Sequence, residues 1–440
     1  MMPWRILWLL GLLLGGAVAA ETVKDREGAV RKDREVMEQD SRWIYNDYRA
    51  GFEKARMENK PLLVVLRCVP CLACAGIDAE VLKDATLQLL LNRFVCVRLI
   101  NANDLDLSLF QFDFDLSFSA VIFNGDGTVY GRYGSWTHQK DAFNQTVDGF
   151  RKALTGALAL HAGYPENRAT LAGKQGAELP FRNPLEIPGL AGKYKRELDW
   201  DGKVVQSCVH CHQVSDAIRA VERDQTGTMS SRWIYPWPGA ETIGLVLAPD
   251  QVARVDSVAP GSMAAQAGLR AGDDLLSLAG QPLISMADVS WVLHWAPEAG
   301  TLAGEIKRGT TTETVSLALK EGWRNQADIS RRVGTWPMRA MALGGLQLSD
   351  LPDEQREGRG LTRGQMALWV KHAGQYGIHA AAKNAGFQKD DVLVEVGDMT
   401  QRISESGLIG HLLHAHRPGD KVRVVVLRGQ ERIRLQLPMQ

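Results

Sequence analysis

The sequence predicts a multi-domain chain: an α/β domain, then a loop-rich cysteine segment, then two β-rich α+β modules. Three observations carry this expectation. Apolar runs alternate with helical stretches between residues 41 and 162, the pattern of an α/β layer. From Gly163 the composition turns to Pro, Gly and polar residues, as in a linker or small loop-rich module. Far downstream, AGLRAGDDLLSLAG at 267–280 and AGFQKDDVLVEVGD at 385–398 repeat one another, which marks duplicated modules.

Residues 1–20 open with one Arg, run apolar from Ile6 to Leu14 and end on Ala19-Ala20. This reads as a secretory signal; the alternative, a retained anchor, asks for about 20 apolar residues. The signal places the mature chain in a periplasmic or secreted setting where disulfides persist. Residues 21–40 are dense in charge and read as a solvated helix or tail. With 51 basic and 51 acidic residues, the overall charge favours neither nucleic acid nor an anionic membrane.

Within 41–162 the strands are expected at Leu62–Leu66, Phe94–Leu99 and Ala120–Phe123, with Asn124-Gly125-Asp126-Gly127 turning into Thr128–Tyr133 and a helix closing the domain. The loop-rich segment covers 163–235, and the repeated modules 236–322 and 340–440.

The six cysteines fall mostly into two clusters. Cys68, Cys71 and Cys74 follow the first apolar strand. Pro70 suits a first helical turn, which puts Cys71 and Cys74 one turn apart and Cys71 nearest the positive helix end, where a thiolate is favoured. The pattern points to reversible disulfide chemistry. A static disulfide, a zinc site or the start of an iron–sulfur run also match the spacing, although Asp78 holds the place of the fourth iron–sulfur cysteine. Cys96, within an apolar strand, reads as a buried thiol. Cys208-x-x-Cys211-His212 has the spacing of covalent haem c: two thioethers and an axial imidazole on the haem iron, with Met229 a candidate distal ligand. A disulfide, or a metal site using His210 or His212, is the alternative.

The first cluster and its strand resemble a thioredoxin-like domain of the secreted bacterial type over residues 41–162, with Lys60-Pro61 opening the strand. The resemblance implies Cys71 as nucleophile, Cys74 as resolving thiol and Cys68 as a third thiol. Val65 stands where that family carries a buried acid, and Phe118 where it carries a cis-proline. The repeated modules resemble bacterial PDZ domains. Ile243-Gly244-Leu245-Val246 and Gly345-Leu346-Gln347-Leu348 take the place of the carboxylate-binding loops, and Asp288–Trp295 and Ser406–His414 that of the groove helices. Such a loop holds a peptide's terminal carboxylate while the peptide adds a strand; the alternative is an occluded groove that only packs. No G-x-S-x-G or comparable serine context accompanies the modules, which argues against a serine protease. The whole arrangement resembles a family of secreted bacterial thioredoxin–PDZ proteins, some of which carry selenocysteine. That resemblance implies thiol–disulfide redox work on recruited protein partners; a non-enzymatic scaffold and a haem c electron carrier are the other readings.

Overall fold

The computed structural model describes residues 25–69, 81–82, 84–135 and 145–440. The first domain carries helices α1 (Arg26–Glu38), α2 (Tyr48–Glu58), α3 (Ala85–Leu91) and α4 (Gln145–Ala162), and strands β1 (Trp43–Tyr45), β2 (Leu62–Arg67), β3 (Val95–Leu99), β4 (Phe118–Phe123) and β5 (Val129–Tyr133). The strands form one five-stranded sheet in the order β1-β3-β2-β4-β5. The first three are parallel, while β4 and β5 run antiparallel. Every residue of β2 to β5 is buried, because helices cover both faces and strands so placed read as continuous apolar runs.

Successive side chains of β2 point to opposite faces. Leu63 and Val65 share a core with Leu87 and Leu91 of α3 and Phe150, Leu154 and Ala157 of α4. Leu62, Val64 and Leu66 share the other with Tyr48, Phe52 and Ala55 of α2. Val65 therefore sits in a wholly apolar layer, and Phe118 packs edge-on to Tyr133 in the same core.

The second face is completed from outside the predicted domain. Helix α5 (Cys211–Thr226) lays Val214, Ala217 and Ile218, spaced three and four apart, into the core beneath β2. Gly227, in the left-handed region at φ 77°, ends it. The stretch expected as a linker or small loop-rich module, 163–235, thus supplies a wall of the first domain. Lys174 within it is fully buried and pairs with Asp288 at 2.9 Å. Of the helix or tail expected for the charged N-terminal stretch, a helix is observed from Arg26, and it is docked on the sheet. Asp33 of α1 pairs with the buried Arg98 of β3 and accepts from the Tyr45 hydroxyl at 3.0 Å.

The first repeat contains β6 (Leu245–Leu247), β7 (Val255–Val258), β8 (Asp274–Leu278), β9 (Gln281–Pro282), α6 (Met286–Trp295), β10 (Gly300–Arg308) and β11 (Thr311–Leu319). The second is preceded by α7 (Thr335–Leu343) and contains β12 (Leu346–Asp350), β13 (Leu368–Ala373), β14 (Val392–Val396), α8 (Glu405–Ala415), β15 (Lys421–Arg428) and β16 (Glu431–Pro438). Each groove helix begins one to two residues earlier than the sequence suggests, at a serine cap, Ser285 or Ser404. The shared motif has a shared physical reason. Arg308 binds the buried Asp273 and the Gly268 carbonyl; Arg428 binds the buried Asp391 and the Gly386 carbonyl in the same way. The arginine that ends each strand thus ties back to the turn that begins each repeat.

Buried ions knit the parts together. Arg332, between the repeats, reaches Asp113 and Asp115 of the first domain. Asp288 of α6 accepts the Arg132 N–H of β5 at 3.1 Å, and the Arg132 guanidinium lies 3.7 Å over the Trp291 ring.

Candidate functional site

Cys68 follows the last residue of β2, and its N–H donates to the Ser117 carbonyl at 3.0 Å just before β4. It thus lies at the end of the central strands, where α/β sheets place their chemistry. Cys71, Cys74, Pro70 and Asp78 lie outside the described residues, as do residues 1–20. What the described residues add is the second cysteine cluster. Cys208, His210 and Cys211 line one small cavity with Cys68, closed by Val30 of α1 and Ile100 beyond β3. The Cys68 sulfur is 3.8 Å from His210 Nδ1. Cys68 and the second cluster, which begins 140 residues later in the chain, meet at one seam.

The seam is held by a buried amide. Asn103 is fully buried; its Nδ2 donates to the Lys195 and Ser207 carbonyls at 2.7 and 2.8 Å, and its Oδ1 accepts the Val209 N–H at 2.7 Å. An amide so satisfied fixes the segment before Cys208 onto the sheet. Gln213 closes the other side, accepting the His210 N–H at 2.8 Å. Cys208 Sγ faces the Ile100 carbonyl at 3.4 Å. Burial pushes the Cys208 thiol up to about 12, with charge on the neighbouring Cys68 adding to it. The Cys211 thiol is pushed higher still by burial, then by Cys68 and Cys208. Burial, followed by His212 and Arg26, holds the His210 imidazole below its ordinary value. Cys96 is 1% exposed in the apolar layer, as expected, and burial pushes its thiol up to about 12.

Among the described residues the haem expectation finds no pocket of its own: the cavity beside the sulfurs has a volume of about 30 Å³, room for a water. His212 points elsewhere, its Nδ1 3.4 Å from Asp216 and its ring stacked on His210. Met229 is in the core of the second repeat beside Ile234 and Leu408, so its candidacy as distal ligand is withdrawn. Among the described residues no group of three or more His, Cys, Asp or Glu could hold a metal ion.

The peptide loops diverge. Ile243 and Leu245 are buried, Val246 is exposed, and the Gly244 N–H is engaged by the Glu241 carbonyl at 2.9 Å. Beside this loop a cavity of about 370 Å³ opens between Leu247 of β6 and Met286 and Ser290 of α6, with Asp113, Ser135 and Arg331 on its far side. That volume is of the size that binds small ligands or a peptide end. In the second repeat, Gly345 adopts φ 88° with the His379 carbonyl so close that no Cβ fits, and Leu346 is buried beneath α7. The N–H of Leu348, beyond Gln347, donates to Glu405 Oε1 at 2.7 Å, and Glu405 also pairs with Arg339 of α7. Neither Asn103 nor Glu405 carries a sequence signal; only the contacts reveal them.

Residues 43–125 match the thioredoxin-like family and residues 254–306 the PDZ domain family. No curated protein matches the chain. Among solved structures, similarity is found to the HtrA-type protease AlgW with decapeptide, at 16% identity over 32% of this chain and 47% of that one with a TM-score of 0.20. The same protease with tripeptide matches at 18% identity over 31% of this chain and 47% of that one, TM-score 0.18. The chain therefore spans less than half the length of these relatives.

Proposed function

We propose that this chain, which carries a thioredoxin-like domain and a PDZ domain, is an extracytoplasmic thiol–disulfide redox protein acting on partners recruited through its PDZ-like repeats. Cys71 attacks, Cys74 resolves, and Cys68 serves as third thiol. The observation that supports this reading best is the placement of Cys68 at the end of the central strand, directly after the apolar run and against a second pair of thiols. Redox pairs gain reactivity from helix starts and polar seams, whereas structural cysteines such as Cys96 are inert in an apolar core. The first repeat would recruit partners by their C-terminal peptides, read at the cavity beside Leu247. Among the described residues no helix is long and apolar enough to cross a membrane.

Alkylation at mildly acidic pH tests the reading. Cys71 should be labelled well before Cys96, whose thiol stays protonated up to about 12. Equal labelling of the two, or a Cys71→Ser variant with unchanged disulfide-reductase activity, overturns it. A scaffold with structural cysteines is the second reading, favoured by the apolar layer around Val65, where the acid that assists exchange is missing. It predicts no reversible titration of the Cys71/Cys74 pair. The haem c reading predicts a Soret band in protein exported from a maturation-competent host; with sulfurs seated as described, the expected spectrum has none.

A further inference from the structure

The thiol–disulfide reading leaves Cys208 and Cys211 without a role, yet the fold brings both to the cavity that Cys68 lines. We propose that Cys208 and Cys211 form a resident dithiol/disulfide that exchanges with Cys68, an internal redox partner of the thioredoxin-like domain. The inference rests on the thiol–disulfide reading above and goes beyond it by assigning the second cluster.

Four observations carry it. The three cysteines line one cavity of about 30 Å³, so they share one small space. Charge on Cys68 acts on both of the other thiols, which it does only at short range in a buried setting. Cys208 and Cys211 lie three apart where an extended residue meets the first residue of a helix, the Cys-x-x-Cys spacing that redox pairs use at helix starts. The segment is pinned by Asn103 and by the apolar face of α5, so the meeting is built into the core and not left to a passing loop.

The chemistry balances without a further oxidant once a disulfide is present. In the reducing direction, Cys71 opens a partner protein's disulfide, expelling its other sulfur as a thiolate, and Cys68 then attacks the partner sulfur held by Cys71, so that Cys71 leaves as a thiolate and Cys68 becomes joined to the partner. The thiolate of Cys208 or Cys211 then attacks the Cys68 sulfur. A bond forms between Cys68 and the attacker as the bond to the partner breaks, and the partner leaves as a thiolate that takes up the attacker's proton. The second thiol of the pair next attacks the first, forming the Cys208–Cys211 disulfide and returning Cys68 as thiolate. Two electrons pass from the dithiol to the partner's disulfide. The reverse sequence oxidises a partner. His210 lies 3.8 Å from Cys68 and between the two cysteines in sequence.

The test uses full-length protein equilibrated in mixtures of reduced and oxidised glutathione, acid-quenched, alkylated, proteolysed and read by mass spectrometry. Wild type should give a Cys208–Cys211 peptide at the oxidising end. Cys211→Ser should accumulate a Cys68–Cys208 peptide and Cys208→Ser a Cys68–Cys211 peptide, each becoming the main form of Cys68, with neither formed by Cys68→Ser. Absence of any Cys68-linked peptide from both single variants, when their thermal unfolding matches wild type, overturns the proposal. Should either variant fold poorly, rapid quench of the wild type during disulfide turnover decides instead: a transient Cys68-linked peptide supports exchange, and its absence sinks it. Turnover of a protein disulfide separates this inference from the reading beneath it. Activity equal in wild type and the Cys208→Ser/Cys211→Ser double variant removes the exchange and leaves the redox reading standing. Cys68-linked peptides without any turnover of partner disulfides do the reverse.

Discussion

The two repeats share a signature, an arginine–aspartate tie and a serine-capped helix, yet they treat the space between strand and helix in opposite ways. In the first, Leu247 lies three residues after the loop glycine and Met286 opens the helix; both line a cavity of about 370 Å³. In the second, Leu348 and Glu405 hold the corresponding places and bond to each other at 2.7 Å. Helix α7 fills the remaining volume, with Met338, Ala342 and Leu343 packed against Leu408 and Leu412. A duplicated fold thus keeps its frame and changes its use through a few side chains. A carboxylate at the helix start, together with α7, marks the module in which that space is filled.

The largest effect should come from removing that carboxylate. Glu405→Ala strips the buried Arg339 of its partner and leaves the Leu348 N–H unsatisfied; breaking a buried pair on one side costs about 3–5 kcal/mol. Urea unfolding of the full chain measures it, and a loss below about 1 kcal/mol, the value of an exposed pair, would show that the second groove is not held shut this way.

The converse change should close the first groove. Met286→Glu introduces the second repeat's carboxylate beside Leu247, so a free C-terminal peptide that binds wild type should bind at least about tenfold more weakly, some 1.4 kcal/mol. Calorimetry with free and amidated peptides reads both points: the amidated form should not bind wild type, because the carboxylate is what the loop holds. Equal affinity of the two peptides would make the first groove a packing surface as well.

Acid should distinguish the repeats more gently. His294 of α6 is buried, accepts the Trp237 N–H at 3.3 Å and stacks on that ring. Burial, then the charges of Arg232, Arg324, Arg332 and Arg132, holds its pKa well below 6.5. The unfolded chain therefore binds the proton first as pH falls below about 6.5, and stability drops with it, by up to ~1.4 kcal/mol per pH unit. His294→Gln should flatten this slope between pH 7.5 and 5.5 in urea midpoints. His414 of α8, at the surface beside Ser231, is lowered for the same first reason, and its replacement should change the slope less. Parallel slopes in wild type and His294→Gln would remove His294 from the account.

Much of the architecture was legible because it rests on periodicity and local turn chemistry. The apolar runs of β2, β3 and β4, the Asn124–Gly127 turn and the repeated AG…DD segments all announce themselves within a few residues. The candidate site was legible only in halves. The spacing of Cys208-x-x-Cys211-His212 carries no information about what faces it, and the haem expectation came from treating the segment as standing alone. Nothing in the order of residues says that α5 covers the sheet beneath β2, since an amphipathic helix declares that it has a partner without naming which.

By itself the sequence determined the order of the modules, strands β2 to β5 of the first sheet, the duplication and the presence of two thiol clusters. These depend on hydrophobic period, on glycines and serines at fixed offsets, and on residue type, all of which act over short stretches of chain. The tertiary structure alone decided that Cys68 meets the second cluster, that the charged N-terminal helix docks through Asp33, and that the first repeat keeps a cavity beside its helix while the second fills that space. Those outcomes depend on burial and pairing between residues far apart in the chain, where a single amide such as Asn103 or a single carboxylate such as Glu405 is costly to leave unpaired and so fixes which surfaces come together.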